Sequence, residues 1–343
     1  MKSRQTLCLL VSTWQASAYI SDNDVLRSSR LHKQQVPARI PTPPFPDGPC
    51  NGRVVTIPGE ALYKDDKSFF NSINPFATWK DVVLPKRDVD AWLPNEYDSI
   101  EFKAEEFPVL YCHDGQNAMS DSKSWTGTSW RLTGAISRLH EHSMLSIPTP
   151  PIIVMIPCGQ GFTDFPPSNQ RHSEYGDMML PISQAHGHFV ANVLHPYVRN
   201  KFRVKDGPDH IYAIGSSLGG QASLQLLLRY PEIFGGAACL SPCFQAGTIA
   251  AIVANLVQEN SDGMRSLKSK KIYLDNGGDT DDKRVPMFDV MDHFTLNDNW
   301  YNPGFWWLDT QLQPTIDAVR WTLERGNVDH MYKKFPGKYK IIP

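Results

Sequence analysis

The chain has 343 residues, of which 41% are hydrophobic and 20% charged, with a formal net charge of −2 at neutral pH. Such a length and balance fit a soluble globular protein with one large domain or two ordinary ones. Charges of both signs are interspersed, so there is no electrostatic footprint for nucleic acid or an acidic membrane surface, and a small neutral or mixed substrate is the natural partner.

At the amino end Lys2 and Arg4 precede a short apolar run, Leu7 to Val11, and small residues follow at Ala16, Ser17 and Ala18. Together they form a weak signal peptide over residues 1–20, with a run too short to span a bilayer. "ASAY", Ala16 to Tyr19, resembles the cleavage motif of plastid presequences in algae with complex plastids. Secretion and plastid delivery are therefore both open, as is a cytoplasmic location. Residues 21–52 mix Arg27, Arg30, Lys33 and Arg39 with Pro37, Pro41, Pro43, Pro44 and Pro46, the composition of an unstructured leader and linker. The folded domain is expected over residues 53–343.

Within it, β-rich runs occur at Arg53–Ile57, Arg87–Leu93, Pro108–Cys112, Ile152–Ile156, Ile211–Ile214, Gly236–Leu240, Lys271–Asp275 and Met331–Phe335. Helical patterns lie at Ser129–His140, Gln184–Lys201, Leu218–Arg229, Thr248–Gln258 and Thr310–Arg325. Strands alternating with helices predict an α/β fold whose mainly parallel sheet is covered on both faces, with antiparallel strands at the first edge. Chemistry in such sheets collects at the carboxyl ends of the strands. The six cysteines, Cys8, Cys50, Cys112, Cys158, Cys239 and Cys243, are scattered and suggest neither a disulfide framework nor a metal site, and no cofactor is implied.

Two strands run into chemically suggestive loops. In "FPVLYCHDGQN" an apolar strand empties into His113-Asp114-Gly115-Gln116. In "IYAIGSSLGGQASLQLLLRYP" a second strand meets Gly215-Ser216-Ser217-Leu218-Gly219 and then a helix, which is G-x-S-x-G in the strand–turn–helix setting of a nucleophile elbow. Such a turn lifts Ser217 Oγ out of the sheet, and the helix start behind it favours developing negative charge. The backbone N–H groups of Gln116 and Leu218 are the expected oxyanion hole. Asp114, Trp125 and Ser216, beside them, are expected to face the substrate.

"RDVDAWLPNEYD", "FPVLYCHDGQNAMSDSKSWTGTSW", "GSSLGGQASLQLLLRYPEIFGGAACLSP" and "LDTQLQPTIDAV" resemble, in that order, an esterase family of α/β-hydrolases that includes enterochelin-esterase-like, feruloyl-esterase-like and S-formylglutathione-hydrolase-like enzymes. The similarity covers roughly Arg87 to Gly337. It implies an α/β-hydrolase fold and a cofactor-free serine esterase that forms an acyl-enzyme on a small-molecule ester. By distance from the strand, Asp279 and Asp281 are the obvious triad acids. The family pattern "LD..LQP.ID" instead implies Asp309, just before a helix, and makes the aromatic-rich stretch of about 279–306 an insertion. An acyltransferase and a catalytically inactive binding protein are the alternatives on the same scaffold.

The family's base is a histidine in the loop after the last strand, yet here that stretch reads "FPGKYKIIP" and no histidine follows His330. A serine without a general base loses most of its rate, and a lysine at its usual pKa cannot accept the proton. His330 precedes the last strand, about 16 Å of strand from the carboxyl edge, and His210 shares that fault. His113 and His293 come from the correct edge; His140, His142, His172, His186, His188 and His195 read as surface or packing residues. Gly337-Lys338-Tyr339 can be encoded GGT-AAG-TAT, which contains the common start of a eukaryotic intron. "KYKIIP" is therefore expected to be intron read-through, replacing a segment that carries the histidine; a natural short terminus is the alternative.

Overall fold

Central strands of a parallel sheet have no wet face, so they need apolar side chains at every position. The computed structural model describes residues 45–63, 78–82, 84–124, 127–145, 147–159, 162–163, 168–257, 267–278 and 303–336. In it β3 (Val109–His113), β4 (Ile152–Ile156) and β6 (Gly236–Leu240) are buried throughout. With β1 (Gly52–Ile57), β2 (Val89–Pro94), β5 (Ile211–Ser216), β7 (Lys271–Gly278) and β8 (His330–Pro336) they form one sheet in the order β1-β2-β4-β3-β5-β6-β7-β8. β2 pairs antiparallel with both β1 and β4, and every other pairing is parallel. All eight expected strands are present, and the chain has the α/β-hydrolase fold.

Alternation along the strands sorts side chains into two cores. Val109 and Tyr111 face one side, with Leu224 and Leu227 of α5 (Leu218–Arg229) and Ile182, Phe189, Leu194 and Val198 of a helix running from 181 to 201. Leu110 and Cys112 face the other, where α1 (Leu132–Glu141) supplies Leu132, Ile136 and Leu139. The 181–201 helix consists of α3 (Pro181–Phe189), a π-helical stretch Val190–Leu194, and α4 (His195–Lys201). Pro196 explains the π stretch, because it lacks an N–H and its ring crowds the carbonyl four residues earlier. A short helix, α2 (Gln170–Glu174), lies between β4 and α3; α6 (Ala246–Val257) and α7 (Pro303–Arg325) complete the list of longer helices among the described residues.

Two boundaries differ from expectation. The segment from Phe45 to Asn51 is not linker but part of the domain: Phe45 is 4% exposed, and its carbonyl accepts from Arg131 Nη1 at 2.9 Å. Nearby, the Gly48 carbonyl accepts from Thr133 Oγ1 at 2.7 Å and that of Cys50 from Ser137 Oγ at 2.8 Å. Proline-rich composition concealed this docking onto α1. Likewise α7 starts at Pro303, a residue suited to a first helical turn, so the last positions of the expected insertion, 303–306, are helical. The expected signal peptide and the expected leader up to residue 44, with most of the aromatic-rich stretch, lie outside the described residues, and no described helix is long and apolar enough to cross a membrane.

If the domain begins at Phe45, Phe45→Ala should lower unfolding stability by about 3 kcal/mol, the usual cost of a buried Phe truncation. Urea unfolding checks this; a change within a few tenths would return the segment to the linker.

Candidate active site

At the carboxyl end of β5 the chain reverses into α5 through Ser217, whose φ of 58° and ψ of −122° is a conformation that residues with a Cβ rarely adopt. Four backbone partners hold it there. The Ser217 N–H donates to the Leu240 carbonyl at 2.9 Å, and the Ser217 carbonyl accepts from the N–H groups of Gly220 at 3.0 Å, Gln221 at 3.2 Å and Cys243 at 3.1 Å. The glycines allow the reversal by close approach. A Cβ on Gly215 would lie 2.4 Å from the Gly219 carbonyl carbon, and one on Gly219 would lie 3.0 Å from Asp114 Oδ2.

The neighbouring loop leaves β3, whose Cys112 is in register with Ile214 of β5. It begins with Asp114 in the left-handed region (φ 55°, ψ 43°) and continues as a single 3-10 turn, Gly115–Asn117. The Gln116 side chain is turned toward the end of β4: its Oε1 accepts from the Cys158 N–H at 3.1 Å and its Nε2 donates to Cys158 Sγ at 3.2 Å. Among the described residues no acceptor takes the backbone N–H of Gln116 or of Leu218. Ser216 and Ser217 are half-buried, open enough for a small molecule to approach.

Asp114, expected to face the substrate, is 1% exposed and uses both carboxylate oxygens on Arg171 of α2. Burial opposes the Arg171 charge and Asp114 outweighs it, raising the guanidinium pKa. The carboxylate is therefore buried and already paired, and the expectation is corrected to a supporting position. Arg171 was not singled out from the sequence. A buried aspartate in "HDGQ" demands a cation, but nothing in "NQRHSEYG" marks which arginine supplies it.

Trp125, Asp279 and Asp281 lie outside the described residues, as does the Asp309 side chain. The Asp309 backbone lies inside α7 and not in the loop before it, because the helix starts at Pro303. The described carboxylate nearest this region in sequence is Asp275 on β7. It is fully buried, its Oδ1 accepts from the Ser241 N–H at 2.8 Å, and burial pushes its pKa up to about 7.

The described histidines occupy quite different positions. His113 lies against α5, with Nδ1 3.0 Å from Ser223 Oγ, and burial with the nearby His186 lowers its pKa to about 3, too weak a base for this chemistry. His330 pairs in register with Ile272 at the amino edge, and His210 precedes β5 on that same edge. His172, read from the sequence as a surface or packing residue, is exposed on α2, and partial burial with the charge of Arg171 lowers its pKa. Among the described residues no group of His, Cys, Asp and Glu is arranged to hold a metal ion.

The family described as "Putative esterase" matches residues 85–302 of this chain. Among solved structures it is similar to a ferulic acid esterase at 14% identity and a TM-score of 0.49, covering 84% of this chain and 90% of that one. A ferulic acid esterase of the anaerobic fungus Anaeromyces mucronatus gives 14% identity and a TM-score of 0.47, with 83% of each chain covered. The enterochelin esterase of Shigella flexneri gives 13% and 0.49, covering 87% of this chain and 56% of that one. No curated protein sequence matches the chain.

Strain at Ser217 has a measurable consequence. Glycine tolerates its φ and ψ, whereas alanine keeps the Cβ, so Ser217→Gly should unfold about 1 kcal/mol less readily than Ser217→Ala even after glycine's entropic penalty. Equal urea midpoints would show that the turn is relaxed.

Proposed function

The chain belongs to this esterase family, and we propose that it is a serine carboxylic-ester hydrolase that works through an acyl-enzyme. The observation that carries the reading is the conjunction of Ser217, held at a positive φ at the head of α5, with two backbone N–H groups, those of Gln116 and Leu218, on adjacent loops. Ser217 Oγ attacks the ester carbonyl carbon while a base takes its proton, and the carbonyl oxygen gains charge facing the two donors. Collapse of the tetrahedral intermediate expels the alcohol, which takes the proton back. Water then repeats the sequence on the acyl-enzyme to release the acid. Whether water or a second alcohol takes the acyl group depends on which reaches the site.

The proposed base is a histidine in the loop following β8, oriented by Asp309, Asp279 or Asp281, and borne by a spliced continuation past Gly337 in place of Lys338 to Pro343. His172 is the second reading, as an exposed histidine next in sequence to Arg171, which pairs with Asp114. A catalytically inactive member that binds its ligand in the same place is the remaining alternative.

Hydrolysis of a short aryl ester separates these. Ser217→Ala should reduce kcat about a thousandfold or more wherever there is activity. Activity confined to a form extended by the spliced continuation supports the missing histidine. Activity in the 343-residue chain that is lost in His172→Ala assigns the base to His172. Turnover that survives Ser217→Ala, or no turnover in either form, sinks the proposal.

A further inference from the structure

We propose that Arg171 is the positioning residue of the oxyanion hole, locking its two halves together; the inference rests on the esterase reading above and extends it. The two donors, Gln116 and Leu218, belong to loops that leave different strands, and nothing covalent fixes their separation. One guanidinium touches both loops. Its Nε donates to Asp114 Oδ1 at 2.7 Å and its Nη2 to Asp114 Oδ2 at 2.8 Å, while the same Nη2 lies 3.5 Å from the Ser216 carbonyl oxygen. Asp114 stands two residues before Gln116, and Ser216 stands two residues before Leu218.

The surroundings leave this bridge little slack. Asp114 Oδ2 is close to where a Cβ of Gly219 would be, so the ion pair is wedged against the first turn of α5. The Asp114 N–H donates to the Tyr175 hydroxyl at 3.3 Å, and the Arg171 guanidinium carbon lies 5.6 Å from the centre of the Tyr175 ring. The Arg171 side chain is 10% exposed, so water competes weakly for these bonds. Cys158, from the same connection between β4 and α3, holds the Gln116 side chain at two atoms. A planar fork is required: lysine carries the same charge but cannot occupy both carboxylate oxygens and still reach the Ser216 carbonyl. Hydrogen-bond donors stabilise a developing oxyanion only when held in place beforehand, so loosening them should lower kcat and leave ground-state binding nearly unchanged.

The test uses whichever form of the chain hydrolyses the aryl ester. Arg171→Lys keeps the charge without the fork. Because a lone buried charge threatens folding, the double variant Asp114→Asn with Arg171→Met removes both partners together. For both variants, with cooperative thermal unfolding confirmed, kcat should fall by about tenfold to a hundredfold with KM changed less than about threefold. Amide hydrogen exchange should quicken in residues 113–118 and 215–219 but not in β4. Unchanged kcat, a loss carried in KM alone, or unchanged exchange in those two loops would overturn the assignment. If no form of the unaltered protein hydrolyses the ester, the esterase reading fails separately. The exchange comparison then decides alone whether Arg171 holds the two loops together.

Discussion

The site depends on the contact between the end of β5 and the start of α5. Strand and helix approach so closely that a side chain on Gly215 would overlap the backbone of Gly219. Only that approach permits the tight reversal in which Ser217 sits at φ 58°. Backbone strain of this kind costs about 1–3 kcal/mol and persists only where the surroundings over-determine it. Here the Ser217 N–H is taken by Leu240 at the end of β6, and its carbonyl is shared by Gly220, Gln221 and Cys243. Strand, helix and the following loop thus hold one residue from three sides, and the Leu218 N–H is left at the helix start without an acceptor among the described residues.

Beneath this turn lies a buried polar layer contributed by the connection between β4 and α3. Arg171 pairs with Asp114, and three residues later Glu174 takes Arg87 Nη1 at 2.7 Å and Nη2 at 2.6 Å. His186 Nδ1 stands 3.7 Å from Glu174, with its pKa lowered to about 3 by burial and by Arg87. Buried ion pairs are poor sources of net stability because both charges lose their hydration, but removing one partner is expensive. Their value here is geometric. They tie α2 to the loops that carry Gln116 and Ser217, something apolar packing in this space would do with less directional control.

Legibility in the sequence followed the range of the interactions. Short β-rich runs located every strand, because burial of a strand is a local pattern. "GSSLGG" revealed the elbow because its glycines answer a contact made within five residues. The loop that holds Gln116 could be located because it directly follows a strand. Arg171 was not, since its partner is 57 positions away and the pair is defined only when the sheet brings β3 and the β4 connection together. Asp114 was misassigned for the same reason: a carboxylate in a loop looks solvated until its cation is known. The docking of Phe45 to Asn51 was hidden by prolines, which speak against regular structure but not against packing. Asp309 was placed before a helix that in fact begins at Pro303, since aromatic residues such as Phe305, Trp306 and Trp307 suit a helix as well as a loop.

The central claim, that Ser217 faces two backbone donors poised for a developing oxyanion, is tested most directly by a crystal structure of the protein reacted with an aryl phosphonate ester. The account predicts a single covalent adduct on Ser217 Oγ, with one phosphonyl oxygen about 3 Å from both the Gln116 and Leu218 nitrogens. An adduct on another residue, or a Ser217 adduct whose oxygens all point away from those two nitrogens, would contradict it.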